Sequence, residues 1–250
     1  MLMHAGVASI DPPWPEYGGG QCKRGADRHY PLMKVWEIAS LDIGSLLADD
    51  AHVWVWVTSQ FTDACYRLVL PSWGLQPVMD MPWVKCVDAG GGTRRFRVDA
   101  EAVEWEHQNP GLGQYTRKFH ETLILTRRGR PPQPDKDLAG EKLPGSVLFA
   151  PKGRHSAKPV EHLDLIGRIS HRVRGPRLCI FSPDDSSDLA ELASRGWDIA
   201  GLDRQGRPLP GSVPMPAQRP GWKQRLRRAQ RNFSEALSEP IPTGQQQALL

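Results

Sequence analysis

The sequence predicts an α/β fold built on a mostly parallel sheet, and three observations carry that prediction. Short apolar runs alternate with stretches of helical periodicity, the pattern that parallel strands with helical crossovers require. The first apolar run breaks off in a polar, proline-rich turn, as strands do at the carboxyl edge of an open sheet. The chain has 250 residues, 39% hydrophobic and 24% charged, enough for one sizeable core.

Taken in order, GVASI at residues 6–10 is a short buried strand. The stretch HYPLMKVWEIASLDIGSLLADD places Val35, Ile38, Leu41 and Leu46 on one helical face and predicts a helix ending at Asp49 and Asp50. HVWVWVTS is a second strand. In it Trp54 and Trp56 alternate with Val53, Val55 and Val57, so the tryptophans are assigned to packing rather than to base stacking. A helix from Phe61 to Leu70 should stop at Pro71, and a third strand runs from Leu75 to Val84.

Residues 87–118 form a long polar loop, a length that usually accompanies function, and HETLILTRR returns to a strand. A Pro-rich connection leads to SVLFAP, a helix from Val160 to Val173, the strand RLCIFS, a helix from Asp188 to Arg195 and a last strand WDIAGLD. About six core strands result. Beyond Asp203 the chain is Pro/Gly-rich through Pro220, then carries a basic helix near Trp222 to Leu237 and a polar, Gln-containing end. Residues 1–203 are thus the main domain and 204–250 a linker and appendage.

The longest apolar runs fall far short of the roughly 20 residues that span a bilayer, and MLMHAGVAS lacks the features of a secretory signal, so no membrane partner and a cytoplasmic location are expected. Cys22, Cys65, Cys86 and Cys179 show no CxxC or Cys/His spacing, and the eight histidines no ligand spacing; reduced thiols and no metal are expected. The formal charge is +4 and the pI about 9.0. Arg219, Lys223, Arg225, Arg227, Arg228 and Arg231 crowd one stretch, interleaved with Trp222 and Phe233, a composition suited to a polyanion. The triple glycines at 18–20 and 90–92 lie outside any strand-to-helix phosphate motif and are assigned to loops.

The turn after the first strand is Asp11-Pro12-Pro13-Trp14. Two prolines fix φ near −65° and restrict the residue before each, so the carbonyls between Asp11 and Trp14 point in set directions. A carboxylate and fixed carbonyls beside an aromatic face suit a planar ligand carrying an amine, such as adenine. Hydrogen bonds from the two amine N–H groups to Asp11 and a turn carbonyl would leave the nitrogen lone pair available for in-line attack on a methyl group. Four residues alone equally describe a strand terminator with a capping aspartate.

With the rest of the chain, the sequence resembles the DPPW-type adenine N6-methyltransferases. The motifs are DPPW at 11–14, HYPLM at 29–33, GLGQYTRKFHETLIL at 111–125, RHSAKPVEHLDLIGRI at 154–169 and GWDIAGLD at 196–203. The likeness covers roughly residues 7–203 and lies in the combined order. It implies a Rossmann-like S-adenosylmethionine-dependent methyltransferase fold, permuted so that the catalytic strand precedes the donor-binding strand. It implies a catalytic turn of Asp11, Pro12, Pro13 and Trp14, the last walling or stacking on the target base. Substrate contacts would come from Tyr30, Tyr115, Arg117 and Glu121, with recognition in 87–118. Donor contacts would come from Ile10, Asp11, His155, Ser156, Lys158, Phe181, Ser182, Asp184, Asp185 and Asp203. His155 and Ser156 serve equally well as caps of the following helix, and Glu121 equally well as a solvated strand end.

On the donor side Cys179 stands where the family has an acid and Leu202 where it has an asparagine, and Asp184 or Asp185 would take over the ribose hydroxyls. The implied reaction is methylation of adenine N6 in DNA with the base flipped out. The alternatives are RNA as substrate, a free nucleotide or small amine, or a catalytically inactive nucleic-acid-binding subunit.

Overall fold

The computed structural model describes residues 4–15, 32–86, 120–135, 137–138, 141–151, 157–181, 186–201, 208–209, 211–218, 220–221 and 224. Among them the strands are β1 Ala5–Ile10, β2 Leu47–Val57, β3 Gln76–Cys86, β4 His120–Arg128, β5 Asp137–Leu138, β6 Glu141–Lys142, β7 Leu148–Pro151, β8 Arg177–Ile180 and β9 Trp197–Ala200. Seven form one sheet in the order β7-β3-β4-β2-β1-β8-β9, and β5 pairs only with β6. The expected six core strands become seven because SVLFAP pairs with the end of β3.

Neighbours in the sheet are parallel except around β4, which runs antiparallel to both β2 and β3. This exception positions the site. Because β4 runs against its neighbours, its first residues lie where β2 and β3 finish, with Thr122 opposite Val57 and His120 opposite Val84.

Alternation along β2 divides the core between the two faces. Val53, Val55 and Val57 pack in one cluster with Ile38, Phe61 and Val69. Trp54 and Trp56 pack in the other with Trp83, Leu163 and Ile166, so both tryptophans are core residues as their alternation with valine predicts. Pro77 and Pro82 stand in the part of β3 that pairs with β4 alone, since β7 joins only from Trp83 onward; a missing N–H is tolerated there.

The helix expected to run to Asp49 is shorter. Helix α1 spans Val35–Ser40, a 3-10 turn covers Ile43–Leu46, and β2 has begun by Leu47. Leu41 is extended and bridges Gln218, while the Asp42 N–H donates to Ala217 O at 2.9 Å, so tertiary pairing ends the helix. Leu41, Ile43 and Leu46 are nonetheless buried: the periodicity reported burial rather than helix.

The helix expected to stop at Pro71 continues through it. Helix α2 Thr62–Ala64 passes into a π-helical turn at Cys65–Val69 and then into α3 Leu70–Trp73. In a regular helix the Pro71 ring would meet the carbonyl four residues back, and the wider turn before it relieves that collision. Gly74 ends the helix with φ 73°, and the Leu75 N–H returns to Leu70 O at 2.9 Å. Helix α4 Glu161–Ile169 stops short of the expected Val173. Ser170, 2% exposed, follows it with its hydroxyl 3.0 Å from His52 Nδ1 and accepting from Trp54 Nε1 at 3.2 Å. Helix α5 is Ser186–Ser194. No helix among the described residues is long and apolar enough to cross a membrane.

Described residues beyond 203 contact the sheet. The Leu209 N–H donates to Gly201 O, the Val213 N–H to Ile199 O, and Val213 and Met215 pack against the core. The described residues 208–209 and 211–218 thus form a strap along the sheet.

Burial holds the His52 imidazole neutral, its pKa down at about 4, and the Ser170 hydroxyl joins its Nδ1 to the Trp54 N–H. Ser170→Ala orphans both partners and should lower unfolding free energy by about 1–3 kcal/mol, measured by urea denaturation; an unchanged midpoint would refute the network.

Candidate active site

The site grows from the end of β1. The Asp11 N–H extends the parallel ladder to Ile180 O at 3.2 Å, and the chain then leaves the sheet. The Trp14 N–H turns back to Pro12 O at 2.8 Å, and the Met33 N–H reaches Pro13 O at 2.9 Å. Both prolyl carbonyls therefore hold the turn together, and each keeps a second lone pair for a ligand. The Asp11 carboxylate stands at the mouth of this corner.

Three strands and a loop deliver charge to that mouth. Lys158, just before α4, places Nζ 2.8 Å from Asp11 Oδ2 and 3.2 Å from Glu121 Oε2. Glu121 arrives there because β4 is antiparallel and enters from the carboxyl edge. Its other oxygen, Oε1, lies 2.5 Å from Lys85 Nζ, near the end of β3. The four side chains form a line of alternating sign: Lys85, Glu121, Lys158, Asp11. The Lys158 ammonium also lies 5.6 Å from the centroid of the Trp56 ring, and Lys85 4.9 Å from that of Trp83.

Position in the line decides the acidity of the two carboxyls. Burial pushes Asp11 above its usual 3.8, against the pull of Lys158 beside it and the weaker pull of Lys85, with Glu121 adding to the rise. Burial also acts upward on Glu121, but two ammoniums, Lys158 and Lys85, outweigh it and hold the group at about 2. Beneath them His162 is buried and its pKa is down at about 4, chiefly from burial. Its Nδ1 donates to Pro159 O at 2.6 Å, which leaves Nε2 to accept from the Ser9 hydroxyl at 3.4 Å. This neutral ring, edge-on to Trp56, supports the Lys158-Pro159 segment without adding charge.

Trp14 differs from its expected role. Its indole is 6% exposed, stacked on Phe61 with centroids 5.7 Å apart and planes 10° from parallel, and its N–H donates to Trp56 O at 2.9 Å. The ring fastens the turn to the core, so the reading of Trp14 as an open stacking face is corrected. Ile10 is wholly buried, which leaves only its backbone for a ligand. Phe181, half-buried, adopts φ 63° and donates its N–H to Ala200 O at 2.8 Å. A left-handed phenylalanine costs roughly 1–3 kcal/mol and marks a constrained turn off β8, next to Asp11.

Asp11, Glu121 and Lys158 are thus brought together. Tyr30, Tyr115, Arg117, His155, Ser156, Ser182, Asp184, Asp185, Asp203, the loop 87–118 and the basic stretch from Trp222 lie outside the described residues, Gln224 excepted. Sequence reasoning missed Lys85, whose relation to Glu121 depends on the register of β3 against β4, and His162, whose only signal was its place four residues after Lys158.

Chemically, the corner offers a carboxylate whose Oδ2 is held by Lys158 and whose Oδ1 can accept from a ligand amine. The same negative oxygen beside the β1–β8 edge suits a ligand bearing a cationic centre, as a sulfonium methyl donor does.

Residues 6–190 match the MT-A70 family. Over 220 residues the chain is 26% identical to the Type II methyltransferase M.MunI of Mycoplasma sp, covering 79% of this chain and 76% of that protein. Over 156 residues it is 27% identical to the N(6)-adenine-specific methyltransferase METTL4 of Mus musculus, covering 60% of this chain and 29% of that protein.

The depressed Glu121 carboxyl stabilises the fold fully above its ordinary 4.5, and that contribution is lost as pH falls toward about 2. Raised Asp11 works the other way, weakening the fold as pH climbs past 3.8. Glu121→Gln should therefore cost roughly 3 kcal/mol at neutral pH and flatten the acid side of the stability profile, measured by denaturation between pH 2 and 7.

Proposed function

The chain belongs to the MT-A70 family of adenine N6-methyltransferases, and we propose that it transfers a methyl group from S-adenosylmethionine to the N6 amine of adenine in DNA. The observation that carries this reading is the Asp11 carboxylate, held 2.8 Å from Lys158 at the end of a proline-stiffened turn. When bound, S-adenosylmethionine supplies an electrophilic methyl group on a sulfonium centre.

An exocyclic amine is a poor nucleophile because its lone pair is delocalised into the ring. Asp11 Oδ1 accepts one amine N–H, and the spare lone pair of a prolyl carbonyl accepts the other. These two acceptors favour a tetrahedral nitrogen and aim its lone pair, so the corner supplies orientation rather than covalent chemistry. Lys158 keeps Asp11 ionised and fixes its second oxygen. As the new N–C bond formed, the donor's S–C bond would break to leave S-adenosylhomocysteine; the nitrogen must shed one proton, and the Asp11 carboxylate, its pKa raised, is the nearest acceptor.

In this reading Ile10 (through its backbone), His155, Ser156, Phe181, Ser182, Asp184, Asp185 and Asp203 hold the donor, with Lys158 between donor and base. Tyr30, Tyr115, Arg117 and Glu121 face the flipped adenine, and residues 87–118 read its surroundings. The basic stretch from Arg219 to Arg231 contacts phosphates. On this reading the fold is a permuted Rossmann-like methyltransferase, with the catalytic strand β1 ahead of the donor strand β8.

The departures on β8 motivate a second reading, a nucleic-acid-binding subunit without activity. Cys179 stands on that strand where an acid is expected. Calorimetric titration with S-adenosylmethionine separates the two: an active enzyme binds the donor, and the subunit does not.

Labelled donor incubated with unmodified DNA should place label on adenine N6, identified by nucleoside mass spectrometry, with RNA as the competing substrate. Asp11→Ala should lower kcat by at least about 100-fold. Because Asp11 must be ionised, kcat/KM should fall as pH drops through its raised pKa, placing the acid limb above 3.8. Absence of label on adenine in both nucleic acids would overturn the proposal.

A further inference from the structure

The chemistry above uses Asp11 and Lys158 and leaves Lys85 unassigned. Lys85 is nevertheless built in firmly: it lies near the end of β3, above the ring of Trp83, whose own N–H donates to Ala150 O at 3.0 Å. Its side chain is 21% exposed, and its contact with Glu121 Oε1, at 2.5 Å, is the shortest in the charged line.

Glu121 faces two ammoniums unequally. Lys158 lies 0.4 Å nearer to Asp11 (2.8 Å) than to Glu121 (3.2 Å), while Lys85 is closer to Glu121 than either. A Glu121 without Lys85 would compete with Asp11 for Lys158 on more even terms, and both carboxylates would lean on one ammonium. We infer that Lys85 is a positioning residue for methyl transfer: it occupies Glu121 and so leaves Lys158 centred on the Asp11 carboxylate.

The inference rests on the methyl-transfer reading and deepens it by explaining why Lys158 stays with Asp11 rather than with Glu121. Among the described residues, the charged and titratable groups that Lys85 meets along the line are Asp11 from the end of β1, Glu121 from β4, Lys158 and His162. His162 stays neutral because it is buried. Two carboxylates and two ammoniums balance; removing Lys85 leaves one negative charge in excess in a half-dry site. Both carboxyls then become harder to ionise, and Asp11, already raised, moves further up.

The test uses the full chain with Lys85→Met and Lys85→Arg, comparing kcat, KM for DNA and the pH profile with thermal stability. Lys85→Met should lower kcat about tenfold with KM within about twofold, and move the acid limb up by about one pH unit; Lys85→Arg should restore both. Unchanged kcat and acid limb would overturn the inference, as would a loss confined to KM, which would make Lys85 a substrate contact, or a loss that arginine does not rescue. Carbon-detected NMR titration of the carboxyls in the donor-free protein separates the two levels of the argument. If the wild type transfers no methyl group, the methyl-transfer reading fails; if the Glu121 and Asp11 titrations do not move in Lys85→Met, the positioning role fails whatever the activity.

Discussion

The contact between Lys158 and Asp11 is the constraint around which the site is arranged. A carboxylate at the end of a buried parallel strand is costly unless an opposite charge meets it, and here one ammonium does so at 2.8 Å. That ammonium must in turn be restrained from wandering on a long, flexible stem. Glu121 on one side and the Trp56 ring beneath supply the restraint, and Lys158 is left only 14% exposed. The arrangement depends on a topological detail, a single reversed strand among the described residues of the sheet. Were β4 parallel, its first residues would lie at the opposite edge, and Glu121 would be a strand's length from Asp11.

The second constraint is the stiffness of the corner itself. Prolines limit the backbone, but the backbone bonds from Trp14 to Pro12 and from Met33 to Pro13 and the buried indole finish the work. Trp14 acts as an anchor because Phe61 covers one of its faces and the carbonyl of Trp56 takes its N–H. Holding the turn from beneath leaves the Asp11 carboxylate at its mouth, against Lys158. His162 does the same for the other half of the site, tying the start of α4 to Ser9 on β1.

The strands were legible because each is a short apolar run bounded by turn residues, and β2 even declared its two faces through the alternation of valine and tryptophan. Glu121 and Lys158 became candidates through the family resemblance, and with Asp11 they converge because each lies at or beside the end of an element at one sheet edge. Less legible were features set by tertiary contacts. Leu41, Ile43 and Leu46 keep a helical spacing yet are buried from a turn, because the pairing of Leu41 and Asp42 with residues 217–218 cannot be seen locally. Pro71 ordinarily stops a helix, and nothing in its neighbours announces the π-turn that admits it. Lys85 and Glu121 are 36 residues apart, joined only by a strand register that composition does not encode.

One last feature concerns the borders of the sheet. A terminal strand with bare amides and carbonyls is a template on which another chain can build, the usual route to runaway polymerisation. At β9 the carbonyls of Ile199 and, just beyond it, Gly201 are claimed by the Val213 and Leu209 amides of the strap. At the other border β7 is four residues long and ends in Pro151, too short and too poor in donors to seed a new partner. The strap is therefore insulation along one border of the seven-stranded sheet.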